Sequence, residues 1–357
     1  MNRALPLLRL ILLLGCQEQL SIAEFEDEFR DYRIELRIEA ILDPVNPWNS
    51  IVRVDRTILI TDTTLFNGRD DDGDWTLADD VGADGIVGVT DGFGPPPDEG
   101  EGNGRPDPGE PHVDEYDEIL PQLHDSTATV TLVELETGAP VIDFVWDSQA
   151  DSFLVADGPL EAGFGPGTDK FVMVTYGGYH PVAIYGTISY DKRYEFLIIT
   201  DEQRITGPVE PLRPPTFIDD LESPLLVDTI EVTAGSGDLV RWRTEPDATV
   251  FWVLVEKVVG PDSLEFVVSS PNGPTGQAQD GDWIGEGVLS FFFPGLYRWT
   301  VTVPNRAYGA YFYSNLPMRD EQLSNLRDDD GNVVLGIAGS SAAKVQYVRI
   351  LKNPDSP

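Results

Sequence analysis

Residues 32–40 alternate without a break: Tyr32, Ile34, Leu36, Ile38 and Ala40 are apolar, and Arg33, Glu35, Arg37 and Glu39 between them are charged. A period of two puts successive side chains on opposite sides of an extended backbone, so this segment is expected to be a half-buried strand. Runs rich in Val, Ile, Thr and aromatics recur at 51–61, 127–135, 141–146, 170–176, 182–190 and 194–200, separated by turn residues. Helical periodicity is nearly absent. The expectation is an all-β protein.

Between the second and third of these strands lies a long interruption, 66–118, with 17 acidic residues against two arginines, a net of −15 within a chain of −38. It holds very few large apolar residues and cannot build a core of its own. A connection of this length is expected to be functional, ligand-ordered or disordered. Within it, DEGEGNGRPDPGE (98–110) fits the spacing of a calcium loop, which wraps six to eight oxygens around the ion and needs glycine at its sixth position. Counting from Glu99, the oxygen donors would be Glu99, Glu101, Asn103, the Arg105 carbonyl, Asp107 and a closing Glu110, with Gly104 at the turn. Upstream, NGRDDDGDWTLADD (67–80) resembles the Asp-rich repeats of thrombospondin type 3, with Asp70, Asp72 and Asp74 at alternate positions; Trp75 and Ala78 depart from that pattern. Asp80, Asp84 and Asp91 offer a poorer second set. Carboxylates about 4 Å apart repel by roughly 1 kcal/mol in water and by several at a partly buried site. Such a cluster must protonate, spread apart or share a cation. Calcium is the expected cofactor, and a mobile solvated loop is the alternative. Zinc is disfavoured because His112 stands alone among the nearby ligands it prefers.

Five prolines fall between 208 and 224, and proline lacks the donor a strand ladder needs, so a linker is expected at 206–224. A second β pattern follows at 229–233, 239–243, 249–259, 264–269, 288–293 and 297–303, with two further strands at 333–337 and 344–351. LVRW (239–242) followed by ATVFWVLVEK, and PGLYRWTVTV (294–303), resemble a fibronectin type III module. That resemblance implies that Tyr297 is a tyrosine-corner residue tying strand to loop. The organisation read from the sequence is a signal peptide (1–15), a tether (16–30), a β-sandwich domain (31–205) with the acidic insertion 66–118, the linker, and a fibronectin-like β-sandwich domain (225–352).

The chain has one cysteine, Cys16, placed at the end of MNRALPLLRLILLLGC. This resembles a bacterial lipoprotein signal, in which a Leu-x-Gly-Cys box is cut before the cysteine and its thiol is acylated. Gln17 after the cysteine favours, by that analogy, the outer membrane or cell surface. With Cys16 acylated no disulfide is available, and stability must come from core burial and from bound ions. A charge of −38 disfavours nucleic acid and anionic lipid as partners, because both would be repelled.

Signals of catalysis are weak. His112, His124 and His180 are the only histidines; none lies in HExxH, and no Gly-x-Ser-x-Gly elbow occurs. Trp48 and Trp283 sit in turn-like contexts where an indole can stack on a sugar or anchor a partner; Trp146, Trp242, Trp252 and Trp299 lie in strand patterns and are expected in the core.

The whole arrangement resembles a family of bacterial surface lipoproteins, described as a domain of unknown function, that accompany TonB-dependent outer-membrane receptors. The segments that carry it are the box at Cys16, STATVTLVELETG (126–138), ITGPVEPLRPPTFIDDL (205–221) and SNLRDDDGNVVLGIAGS (324–340); the acidic insertion is a departure. The resemblance implies two sandwiches and association with an uptake complex, and brings no catalytic residue. The expected function is therefore that of a calcium-binding, lipid-anchored, non-enzymatic binding or scaffold protein whose partner is an outer-membrane receptor or an extracellular glycan or protein. A calcium-dependent adhesin or glycan-binding module is the alternative, with a hydrolase third.

Overall fold

Strand β1 (Leu36–Leu42) realises the later part of the alternation expected at 32–40: Leu36, Ile38, Ala40 and Leu42 are buried, Arg37, Glu39 and Ile41 face outward, and Ile34, ahead of the strand, is exposed. The computed structural model describes residues 34–57, 67–70, 73, 75–82, 100–107, 110, 113, 122–156, 171–219, 222–233, 239–261, 263–278, 280–288, 292–314 and 319–352. Within residues 35–357 the architecture is all-β. Strands β2 (Ile51–Arg56), β3 (Thr129–Glu134), β4 (Pro140–Ala156), β5 (Phe171–Ile184), β6 (Tyr194–Ile199) and β7 (Arg204–Val209) follow β1. After them come β8 (Thr216–Ile218), β9 (Thr229–Thr233), β10 (Leu239–Thr244), β11 (Phe251–Gly260), β12 (Ser263–Asn272), β13 (Gly276–Gln277), β14 (Trp283–Val288) and β15 (Gly295–Pro304). Two short helices, α1 (Arg306–Phe312) and α2 (Arg319–Gln322), precede β16 (Arg327–Asp328) and the long β17 (Leu335–Leu351).

Among the described residues one mixed sheet runs β12-β11-β15-β17-β1-β2-β5-β4-β3-β6-β7-β16, with β9 also on β17. A second sheet has the order β13-β14-β10-β8. Two apolar cores result. The first gathers Ile38, Leu42, Val52, Leu132, Ile142, Tyr179, Phe196, Ile198 and Ile205, together with Leu326, Val334 and Ala338 from the C-terminal part of the chain. The second lies between the two sheets and gathers Phe217, Trp242, Phe251, Val255, Tyr297, Trp299, Val301 and Val348.

Strand β17 joins the two. Its first part pairs parallel with β1, Arg37 opposite Leu335 through Leu42 opposite Ser340, and its second part pairs with β15 and β9. The sequence suggested two separate strands here, because 336–343 reads GIAGSSAA and looks like a break. The small residues have another cause. Gly336 sits at φ 107°, where a Cβ would overlap the Ile38 carbonyl, and a Cβ at Gly339 would press on the Tyr308 side chain. Close approach of backbone to backbone leaves room only for glycine.

Three further departures from the sequence expectation have local reasons. Strand β7 lies inside the stretch read as linker. Pro208 is tolerated because the β16 partner of β7 reaches only Ile205 and Thr206, so no ladder donor is needed beyond. Gly207 lets β7 close against β17, where a Cβ would meet Ala338 and Leu326. Residues 182–190 do not form a separate strand: β5 runs through to Ile184, and 185–193 are irregular. Helix α1 was not visible as periodicity, being seven residues long, yet it carries a start signal, Asn305, whose side chain accepts from the Tyr308 N–H.

Candidate functional site: the acidic insertion

Two arms of the insertion, 75–82 and 100–110, are drawn together by carboxylates. Asp80 accepts three backbone N–H groups from the opposite arm: Gly102 at 2.6 Å and Asn103 at 3.2 Å on Oδ1, and Gly104 at 2.7 Å on Oδ2. Three consecutive amides converge on one carboxylate because Gly102 and Gly104 have φ near +74° and +77°, a curl that other residues rarely adopt. Gly100 is constrained as well, at φ 97° with Asp107 packed where a side chain would go.

Glu110 forms the second clasp and is only 3% exposed. Its Oε1 accepts the Gly82 N–H at 3.0 Å; its Oε2 accepts the Trp75 indole Nε1–H and the Asp107 N–H, each at 3.1 Å. A buried carboxylate without a paired cation is stable only when N–H donors surround it, and here three do. Val81 and Val113 are the buried apolar side chains among the described residues of this region. Smaller turns complete it. Asp79 accepts from the Thr76 N–H and hydroxyl at 2.9 and 2.6 Å, and Asp70 accepts the Gly73 N–H at 2.6 Å.

The residues expected to ligate calcium therefore separate into groups. Asp80 and Glu110 hold the backbone. Asn103 and Asp107 touch through the Asn103 amide, the Arg105 guanidinium stands 3.6 Å from Asp107, and Asn103 Oδ1 accepts the Arg105 N–H at 2.9 Å. Glu101 is half-buried beside them in sequence. Asp70 lies in its own turn. Glu99, Asp72, Asp74, Asp84 and Asp91 fall outside the described residues, as do His112 and Cys16. Among the described residues no three acidic, histidine or cysteine side chains gather at one centre. The donor chemistry of the 100–107 curl nevertheless suits a hard cation: carboxylates, a carboxamide and backbone carbonyls, with no imidazole or thiol among its described residues.

The two loop tryptophans part ways. Trp48 lies in a short 3-10 turn (Pro47–Asn49) and is 57% exposed. Trp283 starts β14, packs against the second core and donates its indole N–H to the Pro246 carbonyl at 2.7 Å. Trp242 and Trp299 are buried in the second core and Trp146 packs on the first, as their strand patterns suggested; Trp252 instead stands half-buried at 6.0 Å from Phe312 and 6.3 Å from Tyr313. The His124 side chain is covered, with Nδ1 at 2.6 Å from Asp55 of β2 and its ring 5.5 Å from Trp146. His180 is exposed, 3.8 Å from Asp147.

A polar cluster with no periodic mark in the sequence docks α1 and α2 on the outer face of β1. Arg37 donates to Glu39 at 2.6 Å, to the Tyr311 hydroxyl at 3.0 Å and to Asp320 at 3.3 Å, and Tyr311 donates to Asp320. Burial pushes the phenol of Tyr311 up, reinforced by its bond to Asp320, and pushes Tyr308 up to about 12. The outward charges of β1 were legible as a solvated face; their helical cover was not. At the far end of the sheet, edge strand β12 exposes Leu264, Phe266, Val267 and Val268.

Compared with known proteins, the chain matches no protein-family model, and no curated protein matches it. Among the described residues no helix is long and apolar enough to cross a membrane.

Proposed function

We propose that this chain is a lipid-anchored surface protein that works by binding rather than by catalysis, and that calcium orders its acidic insertion. The observation that carries the reading is the pair of carboxylate clasps. Asp80 and Glu110 hold two arms in a curl of left-handed glycines, and this curl presents Glu101, Asn103, Asp107 and the Arg105 carbonyl on one short stretch. A cation bound there supplies charge neutralisation, while Asp80 and Glu110 fix the backbone that carries the donors. Extracellular modules of this type bind calcium with dissociation constants on the order of 10⁻⁴–10⁻³ M.

The two cores are read as two β-sandwich modules, the second of fibronectin type III kind. Supporting this, the Tyr297 hydroxyl donates to the Phe293 carbonyl at 2.8 Å, four residues upstream, as a tyrosine corner does. Acylation of Cys16 provides the membrane attachment, at the outer membrane or cell surface. An outer-membrane receptor or an extracellular glycan or protein is the partner class.

Calcium titration of the purified protein, followed by limited proteolysis, tests the ion site: added calcium is expected to protect 66–118 and chelator to expose it. Equal cleavage under both conditions would remove the calcium reading. Cys16→Ala is expected to release the protein from membranes, and persistent attachment would refute the anchor.

A further inference from the structure

A cleft of about 490 Å³ opens between the 245–250 loop and one face of α1, lined by Pro246, Asp247, Val250, Arg306, Ala310 and Tyr313. The volume lies within the range of small-ligand sites, roughly 300–1,000 Å³. Its walls are braced. The Trp283 indole holds the Pro246 carbonyl at 2.7 Å, and Ala248, fully buried, closes a turn onto Glu245 at 3.0 Å. Across the cleft, Asn305 caps α1 and donates to the Glu210 carbonyl at 3.2 Å, while Tyr313 stands between Phe312, 5.3 Å away, and Trp252. Residues 306, 310 and 313 share one helical face at i, i+4 and i+7. Gly309, on the same face, leaves the floor bare.

Two opposite charges line the cleft. Arg306 and Asp247 both line it, both are exposed, and neither has an ion-pair partner among the described residues, including each other. Most other described arginines are committed: Arg37 to Glu39 and Asp320, Arg298 to Glu256, Arg349 to Glu231. The other acid of the loop, Glu245, is held by Arg213 at 2.5 Å. Arg306 and Asp247, neither with an ion-pair partner among the described residues, line one cleft with Pro246, Val250 and Ala310 in a protein of charge −38, and such a pair selects by charge balance. A simple anion meets the repulsive field of the whole surface. A simple cation finds carboxylates everywhere and gains nothing from Arg306. A net-neutral dipole feels little of the field and satisfies both groups.

We propose that this cleft binds a free α-amino acid with an apolar side chain, its carboxylate on Arg306, its ammonium on Asp247, and its side chain against Pro246, Val250, Ala310 and Tyr313. The site is independent of the acidic insertion and of any ion there. Isothermal titration of the full chain with L-phenylalanine tests it, with N-acetyl-phenylalanine and phenylalaninamide as probes lacking one charge each. L-Phenylalanine is expected to bind, and each capped form to bind about tenfold more weakly or worse. Arg306→Ala and Asp247→Asn should each cost a similar factor with unchanged melting temperature, since both side chains are exposed, and Arg306→Lys should retain part of the affinity. No heat from L-phenylalanine at millimolar concentration would overturn the proposal. So would equal binding of the capped forms, binding of only one of them, or indifference to both substitutions.

Discussion

The sheet around β17 and the clasped arms of the insertion are held by opposite means. Along β17, Ala338, Val348 and Ile350 enter two apolar cores, the pairing with β1 brings backbone close enough to require glycine at 336, and glycine at 339 leaves room for the Tyr308 side chain. In the insertion, two valines are the described buried apolar cover, and the arms meet through five N–H bonds to Asp80 and Glu110, with a sixth, from Asp107 to Glu110, inside one arm. Carbon burial is indifferent to ions and, near neutrality, to pH. A frame of carboxylates in a chain of charge −38 is sensitive to anything that changes local charge. The same polypeptide thus contains a scaffold held by carbon burial and a region held by carboxylates.

The comparison breaks most sharply at the glycines. Gly336→Ala places a methyl on the Ile38 carbonyl at a positive φ, and is expected to destabilise the whole molecule by on the order of 3 kcal/mol or more, read as a lower midpoint in chemical denaturation. A similar midpoint in the variant would mean that β1 and β17 are not so closely paired. Trp242→Ala, which empties the fully buried centre of the second core, should cost about 3–5 kcal/mol by the same measurement.

Next comes the alkaline limb. The phenol of Tyr308 is raised by burial to about 12, with Glu39 adding to the shift and Arg53 opposing it. A tyrosine with a raised folded-state value keeps its proton longer in the native state, so stability is intact below pH 10 and falls as pH rises from 10 to 12. Tyr308→Phe should flatten that fall by about 2 kcal/mol across the window. An unchanged slope would show that ionisation of Tyr308 does not couple to folding.

The smallest global effect belongs to the insertion. Glu110→Ala strands three N–H groups and should cost roughly 1–3 kcal/mol locally, seen as faster proteolysis of 75–110, with the main unfolding midpoint unmoved. A matching drop in the global midpoint would merge the two regions into one cooperative unit.

Much of this division could be read from the residues. The alternation of Leu36, Ile38 and Ala40 set the inward face of β1 correctly, and the burial of Trp242 and Trp299 followed from their strand patterns. Other features were hidden because their causes are non-local. Pro208 looked like a linker residue until the short reach of β16 was known, and GIAGSSAA looked like a break until Ile38 and Tyr308 were seen against it. In the insertion, composition pointed to a curl with glycines at the turns. Composition does not reveal that Asp80 meets amides more than twenty residues away, nor that both oxygens of Glu110 accept N–H bonds. A carboxylate in a sequence reads alike whether it will hold a cation or an amide. The cleft at Arg306 was equally silent, since Asp247 and Arg306 are far apart in sequence and only the fold lines one cleft with both.

The most direct test of conditional order is backbone hydrogen exchange by mass spectrometry, with and without calcium. Peptides covering 75–82 and 100–107 are predicted to gain protection as calcium rises through the millimolar range, while peptides from β1 and β17 stay unchanged. Exchange in the two arms that is identical in calcium and in chelator would contradict the account.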